Sequence, residues 1–190
     1  MLQLIVGLVL FLGIHSLSIL ALPAREALIS RMGEWPFKGL YAVIAIIGLV
    51  LIVHGYGQAR LDPTVLYTLP GWTRHIAMLV MLPVFPALLA AYLPGRISQA
   101  LGHPMLVAVK AWALAHLLVN GTLADVLLFG GFLAWAVADR ISLKRRPQRD
   151  IPRAPRSGFN DLIAIVAGLG IYLVFVFWLH AAWIGVPVMG

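Results

Sequence analysis

Cysteine is absent from the 190 residues, and charged side chains are scarce at 11% of the chain. The first absence excludes disulfides, thiolate zinc sites, iron-sulfur clusters and covalent c-type haem attachment, so any metal must be held by His, carboxylate or Met. The second, set against 62% hydrophobic residues and a mean hydropathy of +0.96, places the chain among integral membrane proteins. Its length accommodates about six spans of roughly 20 residues and no soluble catalytic domain besides. A positive leader region is also missing. The first basic residue, Arg25, follows the apolar run MLQLIVGLVLFLGIHSLSIL, which is the pattern of a retained first helix rather than a cleaved signal peptide.

What is present is a series of long apolar runs, at about 2–22, 38–57, 74–93, 104–119, 122–139 and 160–182. Runs of this length predict helices, because barrel strands need only about 10 alternating residues each. The expected fold is therefore all-α, a single polytopic membrane domain over 1–190 with a bundle of about six transmembrane helices and no internal repeat. The breaks between runs carry turn residues: Pro23, Trp35-Pro36, Pro63, Pro70-Gly71, Pro94-Gly95, Asn120-Gly121 and the Pro-rich stretch from 147 to 157. Gly7 and Gly13, Gly130 and Gly131, and Gly168 and Gly170 mark candidate close approaches of helices. Pro83 and Pro86 predict a bend in the third helix, whose freed backbone must be satisfied by a neighbour or line a cavity.

Acidic residues number 7 against 14 basic ones, giving a formal charge of +7. Half of the basic residues crowd between Arg140 and Arg156, and Arg25, Arg31, Lys38 and Arg96 fall on loops of the same parity. The positive-inside rule then sets that side in the cytoplasm and both termini outside. The basic run reads as a topology determinant against anionic lipid, not as a nucleic-acid site.

The stretch HPMLVAVKAWALAHLLVNG, from His103 to Gly121, sets ionisable groups in a run otherwise apolar enough for lipid. Such residues read by default as functional positions. His103 precedes Pro104 and suits a helix entry. Lys110 lies where its stem can snorkel toward the cytoplasm or reach Asp139. Trp112, His116 and Asn120 are spaced by four and predict one stripe of the fourth helix. Asp125, across the Asn120-Gly121 turn, is placed to accept from His116 and set its tautomer. His15 is the strongest polar feature of the first helix and reads equally as a ligand or a satisfied structural histidine. His54 and His75 fall near the outer ends of helices 2 and 3, and His180 beside Trp178 and Trp183 reads as part of an aromatic belt.

At these residues the sequence resembles the NnrU family of bacterial membrane proteins, whose relatives include the plant and cyanobacterial 15-cis-zeta-carotene isomerases. The resemblance covers GIHSL in the first helix, KGLYAVIAIIGLVLIVHGYGQAR from Lys38 to Arg60, the PGR at Pro94 to Arg96, and HPMLVAVKAWALAHLLVNG through LLFGGFLAWAVADRISL. It implies a six-helix protein of the bacterial inner membrane linked to nitrite and nitric oxide metabolism, hence denitrification. The isomerase relatives are haem b proteins, and their ligating histidines match His15 and His116. By that resemblance the metal ligands are His15 and His116, holding a haem b between helices 1 and 4, and the stripe and turn described above add Trp112, Asn120 and Asp125 to the cofactor site. Two neutral imidazoles suffice for such a site. The isomerases' candidate alternative cysteine ligand corresponds to Ala113 here, so a swap to thiolate is closed to this chain and the isomerising chemistry is put in doubt.

The two histidines sit at different expected depths, about 7 Å apart at 1.5 Å per residue, which makes His54 a competing partner for His116. Two further classes are in play. One is a haem-dependent membrane isomerase; the other is a non-catalytic membrane partner for assembly or electron supply of a nitrogen-oxide reductase. The His103-Pro104 pair also resembles isoprenylcysteine-type membrane methyltransferases, but Gly102 replaces the Arg of that pattern and nothing acidic follows Asp161.

Overall fold

The computed structural model describes residues 1–146 and 151–189, so Arg149 of the basic run and the start of the Pro-rich stretch lie outside the described residues. Among the described residues the regular structure is helical apart from one isolated bridge between Val65 and Thr122, with irregular chain at 60–72 and 151–159. The helices are α1 (Leu2–Leu20), α2 (Leu22–Met32), α3 (Glu34–Ala59), α4 (Thr73–Met81), α5 (Val84–Ala90), α6 (Arg96–Leu101), α7 (Pro104–Leu117), α8 (Leu123–Asp125), α9 (Gly131–Ser142) and α10 (Asn160–Val174). A π-helical turn, Val126–Gly130, joins α8 to α9, and a π-helical segment, Phe175–Ile184, continues α10.

Four stretches are long and apolar enough to cross a membrane: Leu2–Leu20, Glu34–Ala59, Thr73–Ala90 and Asn160–Ile184. They match the first, second, third and sixth expected spans. The fourth expected span is a shorter apolar helix of 14 residues, α7, and the fifth is the interrupted helix from Leu123 to Ser142. Two helices were expected as loops. α2 begins on Pro23, whose missing N–H is harmless in a first turn, and ends at Gly33, whose φ of 87° favours glycine. α6 starts where the Asp161 carboxylate accepts from the backbone N–H groups of Arg96 at 2.8 Å and Ile97 at 3.1 Å.

The chain divides into two units, Met1–Pro70 with Val119–Pro147 and Gly71–Leu118 with Gln148–Gly190. In the first, α1 and α3 are antiparallel and nearly in backbone contact. A Cβ added at Gly7 would stand 2.6 Å from the Ile52 nitrogen, one at Gly48 would stand 2.8 Å from the Phe11 nitrogen, and one at Gly55 would strike Leu4. Small residues thus let the two spans pack by dispersion where lipid gives no hydrophobic drive. Of the glycines expected to do this, Gly7 and Gly168 do. Gly13 and Gly170 face open space, and Gly130 and Gly131 meet only side-chain atoms at 3.9 and 3.5 Å.

In the second unit, α5 packs along α10, with Gly168 seated against Pro86, and Val84, Ala87 and Ala108 form a small core. The predicted bend is present: α4 ends at Met81 and α5 begins at Val84, around Pro83. The Leu79 carbonyl, which Pro83 has no N–H to serve, accepts from Leu82 N–H at 3.3 Å, and the Tyr172 hydroxyl donates to the neighbouring Met78 carbonyl at 3.0 Å.

Candidate functional site

His15 is half-buried in the first unit, inside a ring of aromatic side chains. Phe11 stacks on it with ring centres 4.3 Å apart, Tyr41 of α3 meets it edge-on at 5.2 Å, and Trp135 of α9 stands perpendicular at 6.0 Å. Its Nδ1 lies 2.6 Å from the Phe11 carbonyl oxygen. A carbonyl can only accept, so the proton sits on Nδ1 and the lone pair of the neutral ring on Nε2. No described residue hydrogen-bonds that Nε2. The Trp135 indole N–H is buried and also lacks a partner among the described residues.

His116 repeats this local arrangement in the second unit. Its Nδ1 lies 2.8 Å from the Trp112 carbonyl, again four residues earlier on the same helix, and the Trp112 ring tilts against it at 5.3 Å. The predicted stripe is shorter than expected, however. Asn120 is not on the helix, because α7 ends at Leu117 and Leu118 caps it. Its carbonyl accepts instead from the Tyr67 hydroxyl at 2.9 Å.

The segment after Asn120 is fixed within the first unit. The Gly121 carbonyl accepts from the N–H groups of Leu66 at 2.8 Å and Tyr67 at 3.1 Å, and Leu123 N–H donates to the Thr64 carbonyl at 2.8 Å. A Cβ on Gly121 would strike the Tyr67 carbonyl, so glycine is required by close approach. Thr122 caps α8 and forms a reciprocal capping box with Asp125. Asp125 is buried, 4% exposed. Its Oδ1 takes the Tyr56 hydroxyl at 2.6 Å, and its Oδ2 takes the Thr122 backbone N–H at 2.9 Å and hydroxyl at 2.6 Å. The Arg60 guanidinium lies 5.9 Å from the centre of the Tyr56 ring. Burial, with the Asp125 charge nearby, pushes the Tyr67 phenol above its ordinary range.

The remaining histidines divide cleanly. His54 is exposed on α3, at the level where that helix meets the start of α1, far along the bundle from His15. His75 Nδ1 lies 3.3 Å from the Trp72 carbonyl and His180 Nδ1 2.6 Å from the Val186 carbonyl. His103 caps α7 as expected, its carbonyl accepting from Leu106 and Val107. Lys110 is half-buried within α7, and Asp139 is ion-paired with Arg146. Tyr41, Tyr56, Tyr67 and Trp135 were not singled out from the sequence. A tyrosine hydroxyl within an apolar helix is a signal that could have found Tyr41 and Tyr56; nothing in the local pattern marks Tyr67 or Trp135.

Among the described residues no group of three or more His, Cys, Asp or Glu side chains is arranged to hold a metal ion. A b-type haem asks less, one or two imidazole nitrogens with their second nitrogen anchored, and the Nδ1 atoms of His15 and His116 are each anchored on a backbone carbonyl. No curated protein and no solved structure matches the chain. The NnrU protein family matches residues 3–188, nearly the whole length, and the chain belongs to that family.

Proposed function

We propose that this multi-pass membrane protein binds haem b, which His15 and His116 would hold, and works in nitrite and nitric oxide metabolism. The observation that carries the reading is the His15 arrangement: Nδ1 anchored on the Phe11 carbonyl, Nε2 without a described protein partner, and flanking rings from three helices. A backbone-anchored imidazole is oriented before any ligand arrives, which lowers the cost of ligation and raises the basicity of the free nitrogen. Haem would supply redox chemistry or small-gas binding, and the chain's contribution would be ligand orientation and an apolar, aromatic wall that excludes water. Family membership supports the link to nitrogen-oxide metabolism, and reductase components are the proposed protein partners. The proposed orientation keeps both termini periplasmic.

The test is the absorption spectrum of the detergent-purified protein, oxidised and dithionite-reduced. A Soret band that shifts on reduction supports the reading, and His15→Ala and His116→Ala should each alter it while His180→Ala does not. No Soret band in protein from haem-replete cells would overturn it. Copurification of reductase subunits separates an assembly partner from a free-standing haem enzyme.

A further inference from the structure

One end of the first unit gathers charge that the sequence distributes over separate loops. α1 and α9 run parallel, since Phe11 meets Phe132 at 5.6 Å and His15 meets Trp135 at 6.0 Å between ring centres. α3 runs antiparallel to α1, with Leu4 near Gly55 and Phe11 near Gly48. The last turns of α1 and α9, the whole of α2 and the first turn of α3 therefore share one end. Arg25, Arg31, Lys38, Arg140, Lys144, Arg145 and Arg146 stand there against Glu26, Glu34 and Asp139. Glu34 is paired with Lys38 at 2.7 Å and Asp139 with Arg146, which leaves five basic residues facing Glu26.

α2 itself has no buried residue. Leu22, Arg25 and Ile29 are half-buried and make its inner side, Arg25 lying 5.3 Å from the centre of the Phe37 ring. On another side Ala24, Leu28 and Met32, spaced by four, form an apolar stripe that stays exposed, 42% at Leu28 and 38% at Met32. Leu20 before it is 83% exposed and Trp35 after it 80%, with the Lys38 ammonium 5.1 Å from a Trp35 ring centre. The helices joined by α2 are both long and apolar enough to span a membrane, and single residues, Ala21 and Gly33, connect it to them. It is thus held where two spans leave the bilayer.

An exposed apolar stripe beside a concentration of basic groups has one environment that satisfies both halves, the headgroup layer of an anionic leaflet. We propose that α2 is an interfacial helix docked on anionic phospholipid. Ala24, Leu28, Met32 and Trp35 enter the acyl boundary, while Arg31, Arg140, Lys144 and Arg145 take the headgroup phosphates.

The absence of cysteine allows a clean test on the full chain. Leu28→Cys and Ser30→Cys, on opposite sides of α2, are each labelled with a polarity-sensitive fluorophore in nanodiscs of phosphatidylglycerol or phosphatidylcholine. In phosphatidylglycerol the Leu28 label should be quenched several-fold less by iodide than the Ser30 label, and more by a lipid-borne quencher. That difference should shrink in phosphatidylcholine and in the combined Arg31→Gln, Arg140→Gln, Lys144→Gln, Arg145→Gln variant. Equal iodide quenching at the two positions overturns the docking. Equal protection in both lipids, unchanged in the charge variant, overturns the anionic assignment, and a Leu28 label shielded from both quenchers assigns the stripe to a protein cover instead.

Discussion

The Tyr56 hydroxyl donates to Asp125 at 2.6 Å across 69 residues of chain, tying the last turns of α3 to the start of α8. The same carboxylate closes the Thr122 capping box, so one buried side chain serves a helix start and a long-range tie together. Removing the donor alone, in Tyr56→Phe, should cost about 1 kcal/mol. Asp125→Ala leaves the Tyr56 and Thr122 donors without their acceptor and should cost about 2 to 3 kcal/mol. The two losses should combine to less than their sum, since both remove one contact. Denaturant unfolding of the detergent-solubilised protein measures all three, and full additivity would show that the pair is not coupled.

The glycines of the α1 and α3 contact predict opposite effects for one chemical change. At Gly48 an added methyl would stand 2.8 Å from the Phe11 backbone nitrogen, and at Gly7 one would stand 2.6 Å from that of Ile52. Backbone cannot yield locally, so Gly48→Ala and Gly7→Ala should each cost about 1 to 3 kcal/mol. Gly13 lies on the same α1 helix but meets nothing within 4 Å, so Gly13→Ala should be neutral or stabilising by up to about 1 kcal/mol through helix propensity. Thermal unfolding of the three variants side by side checks the sign as well as the size.

The long spans were readable because lipid imposes a rule that hydropathy alone captures: a chain crossing it must be apolar for about 20 residues and close its own hydrogen bonds. The bend at Pro83 followed from the missing proline donor in the same way. α2 escaped because it mixes Arg25, Glu26 and Arg31 with apolar residues and borders a longer run. Asn120 was placed on a helical stripe because spacing shows periodicity, not where a helix stops. Its end is tied by Tyr67, 53 residues away, a partner that no local pattern reveals. Gly48 and Gly55 did carry a signal, seven residues apart and hence on one face of α3. For the site, the pattern singled out His15 and His116 as polar groups in apolar helices, and each holds its Nδ1 on a carbonyl four residues earlier. The aromatic walls around His15 come from three helices and needed the fold.

Tyr67 gives the protein an alkaline dependence. Its phenol is pushed above the ordinary value, first by burial and then by the Asp125 charge. The folded state therefore holds the neutral form more strongly than the unfolded chain does. This contribution to stability is fully present below the unfolded pKa near 10 and is lost as pH rises through the higher folded value. The phenolate absorbance of the native protein minus that of Tyr67→Phe should show a transition displaced to higher pH. A Tyr67 transition at the ordinary value would contradict the half-buried setting of its hydroxyl on Asn120.

His15 offers a sharper separation of ligand from packing residue than truncation alone. In His15→Gly the space left among Phe11, Tyr41 and Trp135 retains its aromatic lining, and imidazole added from solution can return the missing nitrogen. If Nε2 holds the haem iron, the variant should lose the wild-type Soret position and recover it as imidazole is added. The recovered site should need millimolar imidazole, on the scale at which association entropy opposes a small ligand, because the tether and the Phe11 anchor are both gone. A packing histidine predicts otherwise. Removing it would lower the unfolding midpoint while the spectrum stays unchanged, and added imidazole would then move neither the Soret band nor the difference spectrum. Trp135→Phe, which keeps an aromatic ring but removes the buried unpaired N–H together with part of the indole, should leave the Soret band at its wild-type position and so controls for general disturbance of the pocket.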